Sequence, residues 1–154
     1  MKLEAVIKSD KVDFSEIPPE YFLIGLLSAF ENRFQTDADN VMKEISWKQF
    51  FAIICISFCK EAPTINDLSE ILGSSHQNVK QILLKLEKKG FISFQEDKQD
   101  KRKQRIVVTK ACQKFCEKNN DTSAQIMQKM FEGIPEKDIK TTIKTIIKMD
   151  DNLK

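Results

Sequence analysis

The chain is poor in the residues that break helices and in those that most often carry catalysis. Its 154 residues include four glycines, four prolines, one histidine, one tyrosine and one tryptophan. So little glycine and proline argues for long helices with few irregular loops. A single histidine, with no acid pair, glycine-rich phosphate loop or nucleophile motif tied to a partner, argues against an enzyme. No cofactor and no metal ligand set is read from the chain. The longest uninterrupted apolar run, residues 50–56, is far too short to span a bilayer. The opening "MKLEAVIKSDK" lacks the apolar stretch of a signal peptide. The expected location is therefore cytoplasmic, with no membrane partner. Net charge is only +2, so the overall balance names no partner either.

The distribution of charge is more informative. Between His76 and Lys110, ten lysines and arginines face four acids, whereas residues 1–45 carry five basic and nine acidic residues. One segment is thus cationic and the amino-terminal part is acidic. With a 41% hydrophobic fraction there is enough apolar material for a core, and the expectation is a single domain over 1–154.

The helical signals are mostly local. "PPEYFLIGLLSAFENRF" opens on prolines and repeats Leu23, Leu26, Leu27, Phe30 and Phe34 at helical spacing. Phe22 and Ile24 widen that stripe, so this helix is either central to the domain or covered by a second chain. The polar "QTDADN" predicts a break after it. Ser46 and Gln49 form a capping box before an apolar helix, Trp47 to Lys60. Thr64 caps a short helix that ends at Gly73, and Ser75 caps the next. There Val79, Ile82, Leu83 and Leu86 point inward, and Gly90 closes the helix. "FISFQE" and "QRIVVT" read as two strands joined by the charged loop "DKQDKRK". Helices are then expected from 110 to about 119, from about 122 to 132, and from Pro135 onward. In the last of these, Ile139, Ile143, Ile146 and Ile147 are expected to form a buried edge.

Helix, tight turn, helix and hairpin in that order describe a winged helix-turn-helix. In such a unit the second helix enters the major groove amino end first. Ser75, His76, Gln77, Asn78, Lys80 and Gln81 are the candidates there. Asn and Gln suit adenine edges, while Lys or a protonated His suits guanine or phosphate. The hairpin offers Lys98, Asp100, Lys101, Arg102, Lys103 and Arg105, with arginine favoured in an adjacent minor groove. The cationic segment is basic because helix and hairpin would face one polyanion. Lys88 and Lys89 have a plainer reading, compensation of a helix dipole. Lys137, Lys140, Lys144 and Lys148 read as a solvated face.

"ISWKQFFAI", "LSEILGSSHQNVKQILLKLEKKGFI" and "DKQDKRKQRIVVT" resemble the MarR (multiple antibiotic resistance regulator) family of bacterial transcription factors. The resemblance covers roughly residues 45–115. Its most specific parts are "LEKKGFI" and the wing pattern Asp97, Asp100, Arg102. It implies a mainly α fold with a small β-hairpin wing. The winged core would occupy 45–117, with dimerisation helices in 1–44 and 118–154. It implies a homodimer that binds double-stranded DNA at an inverted repeat, acting as a repressor. It implies that the aspartate matching Asp100 orients the arginine matching Arg102, which contacts DNA. It also implies a small-molecule effector, held between the dimerisation helices and the core. Trp47 and the phenylalanines could line such a pocket or simply be core. The sequence departs from the family pattern at "VVTKACQKF", which lacks the usual glycine, and at Leu84, where a polar residue is commoner.

The cysteines fall in two pairs at i, i+4, Cys55 with Cys59 and Cys112 with Cys116. The first pair lies in an evident core helix and reads as packing. Cys112 and Cys116, near Lys110 and Lys114, are expected to be partly accessible and are the candidates for redox sensing. A thiol- or metal-responsive regulator of the same fold, or a winged-helix module that binds protein, are the alternatives.

Overall fold

The computed structural model describes residues 13–153. The lead segment read above for want of a signal-peptide core lies outside them. Among the described residues there are six helices and one antiparallel hairpin: α1 (Pro19–Met42), α2 (Trp47–Phe58), α3 (Ile65–Ile71), α4 (His76–Lys88), β1 (Ile92–Glu96), β2 (Gln104–Val108), α5 (Lys110–Met130) and α6 (Glu136–Asp151). This is the mainly α winged helix-turn-helix that the sequence implies. The chain divides into two compact units, one ending at Cys112 and one beginning at Gln113.

In the first unit, helix ends are set by the predicted residues. Ser46 and Gln49 exchange both capping-box hydrogen bonds, the Gln49 Oε1 accepting from Ser46 N at 3.0 Å. Thr64 and Asp67 do the same at α3, where Asp67 Oδ2 accepts from Thr64 N at 2.8 Å. At the end of α3, Gly73 N donates to Glu70 O and Ser74 N donates to Ser69 O. Gly90 N and Phe91 N repeat that pattern on Glu87 O and Leu86 O at the end of α4. Both are Schellman closures, which need a left-handed residue, and Gly73 (φ 57°) and Gly90 (φ 72°) supply it.

Five elements contribute to one core. Ile53 of α2, Leu68 of α3, Leu83 and Leu86 of α4, Ile92 of β1 and Ile106 of β2 are all essentially inaccessible to solvent. Burying one such side chain contributes about 1.5–3 kcal/mol, so this cluster dominates the stability of the unit. The hairpin pairs Ile92 with Val108 through Glu96 with Gln104. Its outer strand gains a further neighbour that the sequence reading missed. Ile106 N donates to Pro63 O at 2.8 Å, so the turn before α3 lies along β2. Thr109 closes the base, its Oγ1 donating to Gly90 O and accepting from Cys112 N. It therefore links the end of α4 to the start of α5.

Two predicted breaks are absent. α1 runs through "QTDADN" to Met42, with Ala38 buried and Thr36 Oγ1 bonded back to Asn32 O. The predicted helices 110–119 and 122–132 form one helix, Lys110–Met130. Across that join Asn119 Nδ2 donates to Phe115 O, and Ser123 Oγ donates to Asn119 O. Neither stretch contains a Gly or Pro, and polar side chains that bond the carbonyl one turn back let a helix continue. The isoleucine edge of α6 also differs from expectation. No residue of that helix is buried, and Ile143, Ile146 and Ile147 are exposed in the single chain.

Candidate nucleic-acid interface

The turn Gly73-Ser74-Ser75 delivers α4 with its amino end uncovered. Ser75 Oγ accepts from Asn78 N at 3.3 Å and caps the helix, as its position predicts. Val79, Leu83 and Leu86 take the inner face, leaving His76, Gln77, Asn78, Lys80 and Gln81 exposed. Asn78 is not wholly free to read a base. Its Nδ2 donates to Ser74 Oγ at 2.7 Å, which ties the side chain to the turn. Gln77 has no such commitment and is the better placed of the two amides.

The wing is ordered by two aspartates with different tasks. Asp97 opens the loop, and its Oδ1 accepts from Gln99 N and Asp100 N, both at 2.8 Å. This is a side-chain-capped turn, for which Asp is favoured. Its other oxygen accepts from Arg105 Nε, while Arg105 Nη1 donates to Ala62 O at 2.9 Å. Arg105, expected among the wing contacts, is thus half-buried and joins the wing base to the segment before α3. Its Nε and Nη1 hold the wing, and the side chain stays 30% exposed at the cleft between wing and α3.

Asp100 serves the tip. Its two oxygens accept from Arg102 Nε at 3.0 Å and Arg102 Nη2 at 3.3 Å, and Oδ1 also accepts from Arg102 N at 3.1 Å. The Arg102 side chain is nevertheless 91% exposed. A two-point carboxylate grip on an exposed guanidinium fixes its plane while leaving its outer edge available. Lys98, Lys101 and Lys103 are exposed around it.

These groups share a cleft of about 580 Å³. Thr64, the cap of α3, and Asn66 and Asp67 of α3 line it together with Lys101, Arg102, Lys103 and Arg105 from the wing, and His76 of α4 also reaches it. The amino end of α4 and the wing therefore border one open space.

Three aspartates of this region have their carboxyl groups held below the usual range. Backbone N–H groups of Asp100 and Gln99 and the Arg105 guanidinium lower Asp97 to about 2. Asp100 is lowered chiefly by the Arg102 side chain, and Asp67 chiefly by Thr64 N–H. An aspartate in the unfolded chain titrates near ~3.9. A depressed folded value means stabilisation that is complete above the unfolded value and lost as pH falls through the folded one. Asp97→Asn is therefore expected to melt at a lower temperature than the wild type at pH 5–7. That gap should narrow between about pH 4 and 2, where protonation removes the same hydrogen bonds. Thermal melts of both proteins across this range test it, and a gap that stays constant down to pH 2 contradicts the role given to Asp97.

The cysteines correct another expectation. Cys112 is fully buried, not partly accessible, and so is a poor first target for an oxidant. Cys116, Cys55 and Cys59 are half-buried, and burial together with Cys59 pushes the Cys55 thiol up, away from thiolate. Among the described residues no three His, Cys, Asp or Glu side chains come together as a metal site. No helix among them is long and apolar enough to cross a membrane.

Comparison with known proteins agrees with this architecture. The family model described as "MarR family" matches residues 45–103. The match takes in the capping box, the turn, the recognition helix and the Asp97–Asp100–Arg102 loop, so the resemblance read from those residues is borne out. Among solved structures, a MarR/EmrR family transcriptional regulator from Acinetobacter sp. ADP1 superposes with a TM-score of 0.78 at 18% identity, covering 89% of this chain and 98% of that one. The Staphylococcus aureus MepR–DNA complex gives 0.74 at 21% identity, covering 89% and 99%. The regulator BldR from Sulfolobus solfataricus gives 0.76 at 14% identity, covering 88% and 99%. At these identities the likeness shows the fold alone, a winged helix-turn-helix with flanking helices. No match is found among curated proteins.

Proposed function

We propose that this chain is a sequence-specific double-stranded DNA-binding regulator that acts as a homodimer, most simply as a repressor. The observation that carries the proposal is the Arg102 fork, gripped by Asp100 and presented beside a recognition helix whose outer amino-terminal face is polar. An arginine held this way has few uses on a surface other than a phosphate or a groove edge. The MepR neighbour, a DNA complex of the same fold, supports the reading.

The exposed apolar faces support the dimer. Tyr21, Ile24 and Phe30 on α1, and Ile143, Ile146 and Ile147 on α6, are exposed in the single chain. Apolar faces of this kind in a soluble regulator call for a partner, and a second copy is the simplest one. Two-fold symmetry then gives an inverted-repeat operator with half-sites about one helical turn, roughly 10 base pairs, apart. A small-molecule effector that releases the DNA belongs to the same reading. The aromatic series Phe30, Phe34, Trp47 and Phe51, with neighbouring ring centroids 4.7–6.0 Å apart, would be its lining.

Gel shifts with the DNA upstream of the protein's own gene, titrated at several salt concentrations, test the reading. Specific binding that weakens steeply with salt is expected. Gln77→Ala should erode the preference for operator over scrambled DNA by about ten-fold while leaving the non-specific constant nearly unchanged. Asn78→Ala should do less to the base preference, because its amide serves the turn. Equal affinity for operator and scrambled duplex in the wild type would overturn the proposal.

A further inference from the structure

Leu84 is the residue of α4 that the proposed function leaves unexplained. It is 41% exposed, while its helix buries Val79, Leu83 and Leu86 on the opposite side. Measured round the helix from Val79, Gln77 falls at about 160°, Leu84 at about 140° and Lys88 at about 180°. Leu84 therefore stands on the outward stripe between an amide and an ammonium, not at the edge of the core. A surface that docks protein would surround it with apolar neighbours, yet the residues three and four positions away are Lys80, Gln81, Glu87 and Lys88, all exposed. In the major groove the feature that rewards an isolated apolar side chain is the C5-methyl group of thymine.

We propose that Leu84 reads a thymine methyl and is a specificity-determining residue of the recognition helix. The inference rests on the DNA-binding reading above and adds a base to it. Seven residues separate Gln77 from Leu84, a rise of about 10 Å along the helix, or about three base pairs of duplex. Each half-site should thus contain a thymine no more than about three base pairs from the pair that Gln77 contacts. A helix that offered only polar groups along this stripe would be indifferent to the methyl.

The test uses the full-length protein and a duplex selected by it from random-sequence oligonucleotides. Each thymidine of the half-site is replaced in turn by deoxyuridine, which removes only the methyl group. Fluorescence anisotropy then gives the affinity of the wild type, Leu84→Ala and Leu84→Gln. The wild type should bind about three- to five-fold less tightly when one particular thymine loses its methyl, as expected for one buried methyl group. Leu84→Ala, which removes the contact from both half-sites, should lose about the square of that factor, roughly 10- to 25-fold, on the unmodified duplex, and should lose nothing more when the responding methyl is absent. Leu84→Gln, reselected, should no longer prefer thymine there. Because Leu84 is exposed, both variants should melt close to the wild type. If Leu84→Ala keeps the wild-type sensitivity at every position, or if no thymine responds in the wild type, Leu84 reads no methyl, although DNA binding stands. If selection yields no preferred duplex at all, the DNA-binding reading fails and takes this inference with it.

Discussion

Arg102→Ala is expected to weaken binding to operator and to scrambled duplex alike, by about 100-fold for a dimer that presents two such arginines. The slope of log affinity against log salt should fall by about two, one for each lost contact at a phosphate-lined groove. The Arg102 side chain is 91% exposed, so its removal disturbs no packing, and the melting temperature should stay put. Asp100→Asn provides the companion measurement. It leaves the arginine in place but loosens the grip on Nε and Nη2, so affinity should fall by less while the salt slope remains near that of the wild type. An Arg102→Ala protein with unchanged affinity and slope would show that the wing does not touch the duplex.

The second large effect concerns assembly. Replacing Ile143 and Ile147 of α6 with glutamate should leave a folded monomer of 17.8 kDa, whereas the wild type is expected to sediment at twice that mass. Both side chains are half-exposed in the single chain, so the substitution costs the isolated chain little. In a two-fold interface it would bury four carboxylates without partners, several kcal/mol of penalty, enough to abolish association. The monomer keeps its recognition helix but loses the second half-site. Its affinity for an inverted repeat should then drop by about 100-fold or more, since the linked second contact no longer comes at high effective concentration. Sedimentation and anisotropy on the same samples check both parts. A variant that remains dimeric would place the interface elsewhere.

Much of the winged core was legible because its signals are local. Ser46 with Gln49, Thr64, Gly73, Ser75 and Gly90 each satisfy or release backbone groups within a few residues, so their identity alone marks an end. The hairpin was legible for a similar reason, since its strands are short and its loop strongly polar. What escaped depends on context. "QTDADN" and the stretch from Asn119 to Ser123 look like breaks by composition, yet their side chains bond the preceding turn and the helices pass through. Arg105 looked like one more wing cation. Only the three-dimensional position of Asp97 and the Ala62 carbonyl turns it inward. Cys112 looked accessible beside Lys110, but at helical spacing it falls on a covered face. The isoleucines of α6 do fall on one stripe, but in the single chain that stripe is largely exposed where the reading had it buried.

The aspartates of the hairpin loop also limit what the protein will stick to. Lys98, Lys101, Arg102 and Lys103 bring four positive charges, and Asp97 and Asp100 cancel two of them. Indiscriminate attraction to soluble polyanions grows with net charge, whereas a fixed guanidinium rewards only a surface of matching shape. A loop built this way gives up part of its long-range pull. In exchange, heparin or polyphosphate should compete with duplex for it less well than its lysine count alone would suggest.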